Sequence, residues 1–346
     1  MSPTASIRSL AIQMPSRHVR NDQEPYASIP DIPSNWWRFW GIKARYLIDR
    51  EQGETAETLA LQAAEKALSQ AQLRPQDIDL ILCNSTCFAG WSTERTKALP
   101  RFAQQLKQRL NCTRALAIDV EQECITFLIS LQIATHYIAA GKARHVLVCA
   151  SEYISGVLDF SDLSSTTFGD GAAVAVVSAG LADTTAGRLL ASAYASNADF
   201  YDLATVQWRY PVNGPQRSAQ FWSYFTLDKN APVEMQKFIP EGVPAVVRQA
   251  LAKAELHPDD IDFYVFHQPS KILVSLWAHN LGVDEDRFLL TLGEYGCMVS
   301  VSMPVTLYEA LRQGLIRPGH RVVIAGAATG WGFGAQVWEV GPIHWN

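Results

Sequence analysis

The sequence predicts an α/β protein assembled from two duplicated βαβ-rich halves, and three internal matches predict it. LRPQDIDLILCN, Leu73 to Asn84, returns as LHPDDIDFYVFH, Leu256 to His267. HYIAAGKARHVLVCASE, from His136, is matched by YEALRQGLIRPGHRVVIAGA, from Tyr308. FGDGAAVAVVS, from Phe168, is echoed by WGFGAQVWEVG, from Trp331. The copies keep their order while the offset falls from 183 (Leu73 to Leu256) to 163 (Phe168 to Trp331). Chance supplies one such match but hardly three in order. The halves are therefore 1–182 and 183–346, with the junction near 179–188.

The elements follow in order along each copy. AAEKALSQAQ and VRQALAKAE carry apolar residues at helical spacing, and the Pro-Asp turn after each leads into a strand. In the first half a strand from Arg114 to Val120 runs into a short polar turn, and Cys124 then opens a long helix. That helix is apolar nearly all round (Ile125, Phe127, Leu128, Ile129, Leu131), so it is expected to be buried. The helices before Gly141 and Gly314 stop at those glycines, and each is followed by a short turn and a buried strand.

The repeat also maps positions onto one another. Asn84 and His267 fall at equivalent strand ends. Counting back from Gly141 and Gly314 puts Cys124 opposite Cys297, both at an offset of 173. Ligands of parallel sheets gather where strands end and helices begin. His267 and the two cysteines are thus expected to converge on one site.

Composition narrows the function. With 346 residues, 48% of them hydrophobic and 18% charged, the chain has ample core for two domains or one large two-unit domain. Disorder, collagen and coiled coil are excluded. There are 29 Lys and Arg against 34 Asp and Glu, a net charge of −5, so nucleic acid is not an expected partner. No apolar stretch approaches a membrane span, and the N-terminal apolar run is too short for a signal peptide. Six irregularly placed cysteines do not make a disulfide framework. A cytoplasmic enzyme with reduced thiols and no metal is the expectation.

Cys124 is the candidate nucleophile. A thiol at the start of a buried helix meets unpaired N–H groups and the positive end of the dipole, which favour thiolate and can hold an oxyanion. The competing reading is an inert buried cysteine. Cys83 and Cys149 in apolar strands, Cys112 in a polar turn and Cys87 in NSTCFAG read as core or incidental residues. His267 ends an apolar strand and precedes a Pro-Ser helix start, where it can polarise a carbonyl or shuttle a proton; a core histidine is the alternative. His136 and His279 read as helix-face residues.

Five stretches, in order, carry a resemblance: the Cys124 helix start, SEYISGVLDFSDLSSTTFGDGAAVAVV, FHQPSKIL, YGCMVSVSMPVTL and AGAATGWGFGAQV. Together they resemble the ketoacyl synthase III branch of the thiolase superfamily across nearly the whole chain. Within that branch SNWWRFWGIKARYLID, QECITFLISL and AGAATGWGFGAQVWE are similar to the catalytic subunits of 2-alkyl-4-quinolone synthases. The resemblance implies a thiolase-like fold in five layers, αβαβα. It implies a fatty acyl group taken from acyl-CoA onto Cys124, with His267 as the second catalytic residue. An aromatic β-keto acid of the 2-aminobenzoylacetate type then condenses, loses carbon dioxide and closes to a quinolone. Acyl-CoA is substrate, and no cofactor is implied. Thr329, Gly330 and Cys297 are the candidates for an oxyanion or third-position role. The implied partner is a paralogous subunit, with a homodimer as fallback.

Three departures matter. Ketoacyl synthase III enzymes resemble this chain except that Asn stands where Cys297 does, and a thiol is a far weaker donor than an amide. Glu123 precedes the nucleophile where the branch has a small residue, so its charge opposes a thiolate unless it turns away. Trp36, Trp37, Phe39 and Trp40 occupy the place of the branch's CoA-contacting residues, and most of the four are read instead as core. Plain acyl transfer from Cys124 to an alcohol or amine, malonyl-dependent chain initiation and a non-catalytic scaffold are the competing functions. The run Arg144 to Ser151 is expected to be the sheet edge at the subunit interface, enlarged by Tyr153, Ile154, Val157, Leu158 and Phe160.

Overall fold

The structure is a computed structural model that describes residues 3–85, 101–180, 187–212 and 222–345. The first half runs β1 (Ala5–Gln13), β2 (Arg17–Arg20), α1 (Trp36–Trp40), β3 (Ala44–Leu47), α2 (Ala56–Gln70), β4 (Leu80–Asn84), α3 (Phe102–Leu110), β5 (Leu116–Asp119), α4 (Thr126–Ala139), β6 (His145–Glu152) and β7 (Gly171–Ala179). The second runs β8 (Arg188–Ser196), β9 (Ala204–Arg209), β10 (Trp222–Leu227), α5 (Ala231–Lys253), β11 (Phe263–Phe266), α6 (Lys271–Leu281), α7 (Leu292–Tyr295), α8 (Ser302–Arg312), β12 (Arg321–Ala328) and β13 (Gly332–Glu339). Cys87 lies outside the described residues.

One sheet has the order β5-β4-β6-β7-β1 and the other β11-β12-β13-β8. A parallel bridge from Tyr264 to Phe288 stands in the second sheet where β5 stands in the first. The strands of each sheet are apolar on both faces, as sheets covered by helices require. On β4, Leu80 and Leu82 face the central core while Ile81 and Cys83 face the outer one. That central core holds α4 and α8 between the sheets; α2 and α3 cover the first sheet, and α5 and α6 the second. The result is a five-layered, thiolase-like α/β fold. Burial of α4 between two sheets explains why its sequence is apolar nearly all round, whereas α2 buries only a stripe, from Ala56 to Leu68.

The FGDG motif has a structural cause. Asp170 is fully buried and accepts hydrogen bonds from the Ile48 N–H (2.8 Å), the Ser155 N–H (2.9 Å) and the Ser155 hydroxyl, tying β7 to both neighbouring segments. Burial pushes its carboxyl up to about 6, against the pull of those donors. At Gly169 a Cβ would sit 2.2 Å from the Tyr295 carbonyl oxygen, so only glycine lets the two halves approach there.

Two expectations are corrected here. β6, which contains Val146 to Ser151, is not an edge: it lies between β4 and β7, and among the described residues the edges are β1 and β5. Ile154, Val157 and Leu158 are buried inside the chain itself, and Tyr153 and Phe160 pack against its cores, so this run is not an open apolar surface. The aromatic run is only partly core: Trp37 packs against the cluster of Val19, Tyr26, Ile29 and Leu47. No residue of α1 is buried, and Phe39 is 48% exposed. A five-residue surface helix has no face deep enough to hide four aromatic rings; Trp36 instead donates its indole N–H to Thr166 Oγ1 at 2.8 Å.

Candidate active site

Two short turns deliver the site. Glu123–Ile125 forms a 3-10 turn that leads into α4, and Val299–Val301 forms one that leads into α8. Each turn begins with a side-chain-bearing residue in the left-handed region, Glu123 at φ 45° and Val299 at φ 47°. Such conformations cost on the order of 1–3 kcal/mol and persist where the surroundings impose them. From turn to turn and from helix start to helix start the offset is 176 (Glu123 to Val299, Thr126 to Ser302). The symmetry mate of Cys124 is therefore Ser300, not Cys297. Counting back from the glycines failed because α8 has 11 residues and α4 has 14.

The structure still brings Cys124, Cys297 and His267 together. His267 follows β11, is 2% exposed, and is fixed by its N–H to the Ala325 carbonyl at 2.9 Å. Its Nε2 lies 4.0 Å from the Cys297 sulfur, and its Nδ1 is buried without a hydrogen-bond partner among the described residues. Burial pulls its pKa down to about 3, so the ring is neutral at any physiological pH. Cys297 is anchored by its N–H to the Thr167 carbonyl at 2.8 Å. Burial pushes its thiol up to about 11, so it remains protonated.

Cys124 behaves differently from the sequence expectation. Its thiol is pushed well above the ordinary cysteine value, first by burial and then by repulsion from Cys297, Glu123 and Glu152. Loss of water outweighs the helix end, so a free thiolate is disfavoured and the proton must go to a base. Glu123 does not turn clear of Cys124, since its charge is among those that oppose the thiolate. The thiol also packs against an apolar cluster of Ile154, Val157, Leu158 and Val299, flanked by Phe160, Phe168 and Phe225.

Sequence reasoning missed a buried polar network beside the thiols. Asn84 donates to Thr126 Oγ1 at 3.5 Å, and the same oxygen accepts the Gln122 N–H at 2.7 Å, capping the entry to α4. The Ser300 hydroxyl points at Asn84 Oδ1, 3.3 Å away, and is in hydrogen-bond contact with the buried Glu152. The signal was present in the parallel of ECIT with VSVS. Asn84 and His267, at the two equivalent strand ends, thus both reach the site. Thr329 is half-buried and Gly330 exposed, in the turn joining β12 to β13. The next residue but one, Gly332, leaves room for no more than the Gln122 and Ile125 side chains, each 3.2 Å from where its Cβ would be, so this turn lies against the Cys124 segment. Cys83, Cys112 and Cys149 are buried, and His136 and His279 are exposed on helix faces.

A duplicated five-layer fold with a cysteine on a strained turn and a neutral histidine from the other half defines a thiolase-like condensing enzyme. Residues 118–198 match 3-oxoacyl-[acyl-carrier-protein] synthase III, and residues 251–340 match the C-terminal region of that synthase. The chain is 43% identical over 343 residues to the 2-heptyl-4(1H)-quinolone synthase subunit PqsC of Pseudomonas aeruginosa, covering 97% of this chain and 98% of that one. It is 31% identical to the β-ketoacyl-[acyl-carrier-protein] synthase III of Microcystis aeruginosa, over 94% of this chain and 95% of that one. The solved 3-oxoacyl-(acyl carrier protein) synthase III of P. aeruginosa superposes with a TM-score of 0.82 at 25% identity, covering 98% and 99%. The chain belongs to the ketoacyl synthase III family and is an acyl-transferring condensing enzyme. No helix among the described residues is long and apolar enough to cross a membrane.

Proposed function

We propose that this chain makes 2-alkyl-4(1H)-quinolones. A fatty acyl group passes from acyl-CoA to the Cys124 sulfur, the thiol proton leaving through the neutral imidazole of His267 as CoA departs as its thiol. A 2-aminobenzoylacetate-type β-keto acid then loses carbon dioxide, and the carbanion that remains attacks the thioester carbonyl. The Cys124 thiolate leaves and recovers a proton, while the aryl amine closes on the new ketone with loss of water. The observation that carries this reading is the identity shared with the quinolone synthase subunit along nearly the full length of both chains.

The third position supports it. A hold on the malonyl thioester carbonyl needs two good donors, and here one is a protonated thiol. Removing an oxyanion donor costs on the order of 10²–10³ in rate. A β-keto acid loses carbon dioxide more readily than a malonyl thioester and tolerates the weaker site. The apolar cluster against Cys124 suits a fatty chain. Thr329, Gly330 or a backbone N–H of the Cys124 turn would hold the oxyanion in this scheme.

The partner in this reading is a paralogous subunit, with a second copy as fallback, and it joins along β5. That edge strand is half-exposed, with Leu116 51% open, and an unpaired edge of this kind invites a strand from another chain. The function is tested by intact mass after incubation with a panel of acyl-CoAs, followed by the aminobenzoyl acceptor. Acylation followed by discharge as an alkylquinolone is expected. Discharge to an alcohol or amine, or only by malonyl thioester, would replace this reading by plain acyl transfer or chain initiation.

A further inference from the structure

Arg45, on β3, is fully buried, and among the described residues no carboxylate pairs with it. Burial pulls its guanidinium down only to about 10, so it keeps its charge at neutral pH. A cation taken out of water is costly unless its donors are used. Here the two terminal nitrogens are used in two directions, while Nε is buried without a hydrogen-bond partner among the described residues. Nη1 donates to the Asn21 side-chain oxygen, and Nη2 donates to the main-chain carbonyl of Thr166. The plane of the group lies over the Tyr26 ring, 3.8 Å from its centre, with the Trp37 ring 5.2 Å away.

The Thr166 carbonyl is close to the chemistry through the main chain. The next carbonyl, that of Thr167, accepts the Cys297 N–H at 2.8 Å, and the Cys297 carbonyl accepts the Gly169 N–H at 3.0 Å. Phe168 and Cys297 thereby form a parallel bridge between the two halves. The stem of Arg45 closes this bridge from behind. A Cβ added at Gly169 would lie 3.0 Å from the Arg45 Cβ, and one added at Gly296 would lie 3.2 Å from it. The same arginine therefore holds Thr166 with its head and backs both strands of the bridge with its stem. Trp36 holds the Thr166 hydroxyl from the α1 side.

We infer that Arg45 is a positioning residue for condensation: without touching substrate, it holds the 166–169 segment so that Cys297 stands against His267. The inference rests on the condensing reading above, in which Cys297 is the third position. A lysine keeps the charge but cannot donate in two fixed directions while lying flat on Tyr26. Cys297→Ala removes one sulfur and leaves the segment in place, whereas loss of the guanidinium releases the segment itself. A displacement of 1 Å at a reacting centre costs about 10² in rate.

The test compares Arg45→Met and Arg45→Lys with the parent in single-turnover mass spectrometry, which separates acyl loading of Cys124 from its discharge. Arg45→Met is expected to slow discharge between about 10-fold and 10²-fold, with loading slowed far less, and Arg45→Lys to recover part of the discharge. Equal slowing of the two steps would mark the arginine as merely structural, and unchanged discharge would remove the role. Nitrogen-15 spectra of the histidines add a readout that needs no turnover. The His267 Nε2 resonance should move in Arg45→Met and return toward the parent in Arg45→Lys; an unmoved resonance would overturn the inference. Trp36→Phe, on the exposed side of the same segment, repeats both measurements if Arg45→Met does not fold, and is expected to give the same pattern at smaller amplitude. If no acyl-CoA loads the parent enzyme, the functional reading fails, and the His267 resonance still decides whether Arg45 sets the geometry.

Discussion

Gly326 on β12 is where the backbone of the second sheet meets His267. A Cβ there would sit 2.6 Å from the His267 Cβ, with the Met303 sulfur a further 3.4 Å neighbour. Carbon atoms settle at about 3.5–4.0 Å, so Gly326→Ala must drive the two backbones or the imidazole apart by roughly 1 Å. Gly326 is not in the left-handed region, so alanine meets no backbone penalty and the effect is steric alone. Overpacking of this kind costs about 1–3 kcal/mol, and a misplacement of 1 Å at a reacting group costs about 10² in rate. The expectation is a modest fall in melting temperature with condensation reduced about 10²-fold. Acylation of Cys124 should fall less, because the nucleophile itself is not moved. Single-turnover mass spectrometry separates acyl loading from quinolone release in the same sample. Near-normal condensation in this variant would refute the claim that the position of His267 is set by its contact with β12.

Cys124→Ala should abolish the single acyl adduct seen by intact mass, and full adduct in that variant would reassign the nucleophile. Cys297→Ala should keep substantial condensation, with the acyl group mapped to Cys124 in peptides of the parent; an acyl group on Cys297 would overturn the mechanism. His267→Ala should retain some acylation but lose condensation roughly 10²–10⁴-fold, the worth of a positioned acid–base group. The same histidine sets a stability term: its folded pKa of about 3 lies below the unfolded value, so the stabilisation is present above pH 6.5 and is lost as pH falls. At pH 5 that loss is about 2 kcal/mol, and His267→Gln should flatten this part of the melting profile between pH 7 and 5. Leu116→Lys should shift the assembled protein toward protomers in light scattering, and an unchanged mass would remove β5 from the interface.

Much of this was legible because local patterns were strong. Each copy of the Pro-Asp turn leads as expected into a strand, and Asn84, which ends β4, and His267, which follows β11, both reach the site. Other features were hidden because they depend on relations the chain does not spell out locally. A repeat fixes which strands correspond but not where they stand in the sheet, so it does not reveal that β6 is internal and that β5, with its exposed Leu116, is an edge among the described residues. The glycine stops mark helix C-termini, and a three-residue difference in helix length then displaced the partner of Cys124 from Ser300 to Cys297. A helix end with little else around it favours a thiolate. In the folded chain, burial and the neighbouring Glu123 and Glu152 reverse the sign.

That reversal makes the proton inventory of the site simple. Two thiols hold their protons, Cys297 with a value of about 11, and the imidazole of His267 is neutral. Loading an acyl group from a thioester needs one proton moved from Cys124 toward the departing thiol, and a neutral imidazole can accept it and pass it on. After decarboxylation the site must stabilise a carbanion rather than an entering thioester. A protonated thiol 4.0 Å from Nε2 adds little hydrogen-bond strength there but also no negative charge. In the proposed condensation an ionised Cys297 would repel both the β-keto carboxylate and the developing enolate, so burial, by keeping that thiol neutral, would let a cysteine stand at the third position. Raising its acidity, for example with an Arg introduced at Val299, should therefore slow condensation more than acyl loading, and equal slowing of the two steps would show that the neutrality of Cys297 is irrelevant to the chemistry.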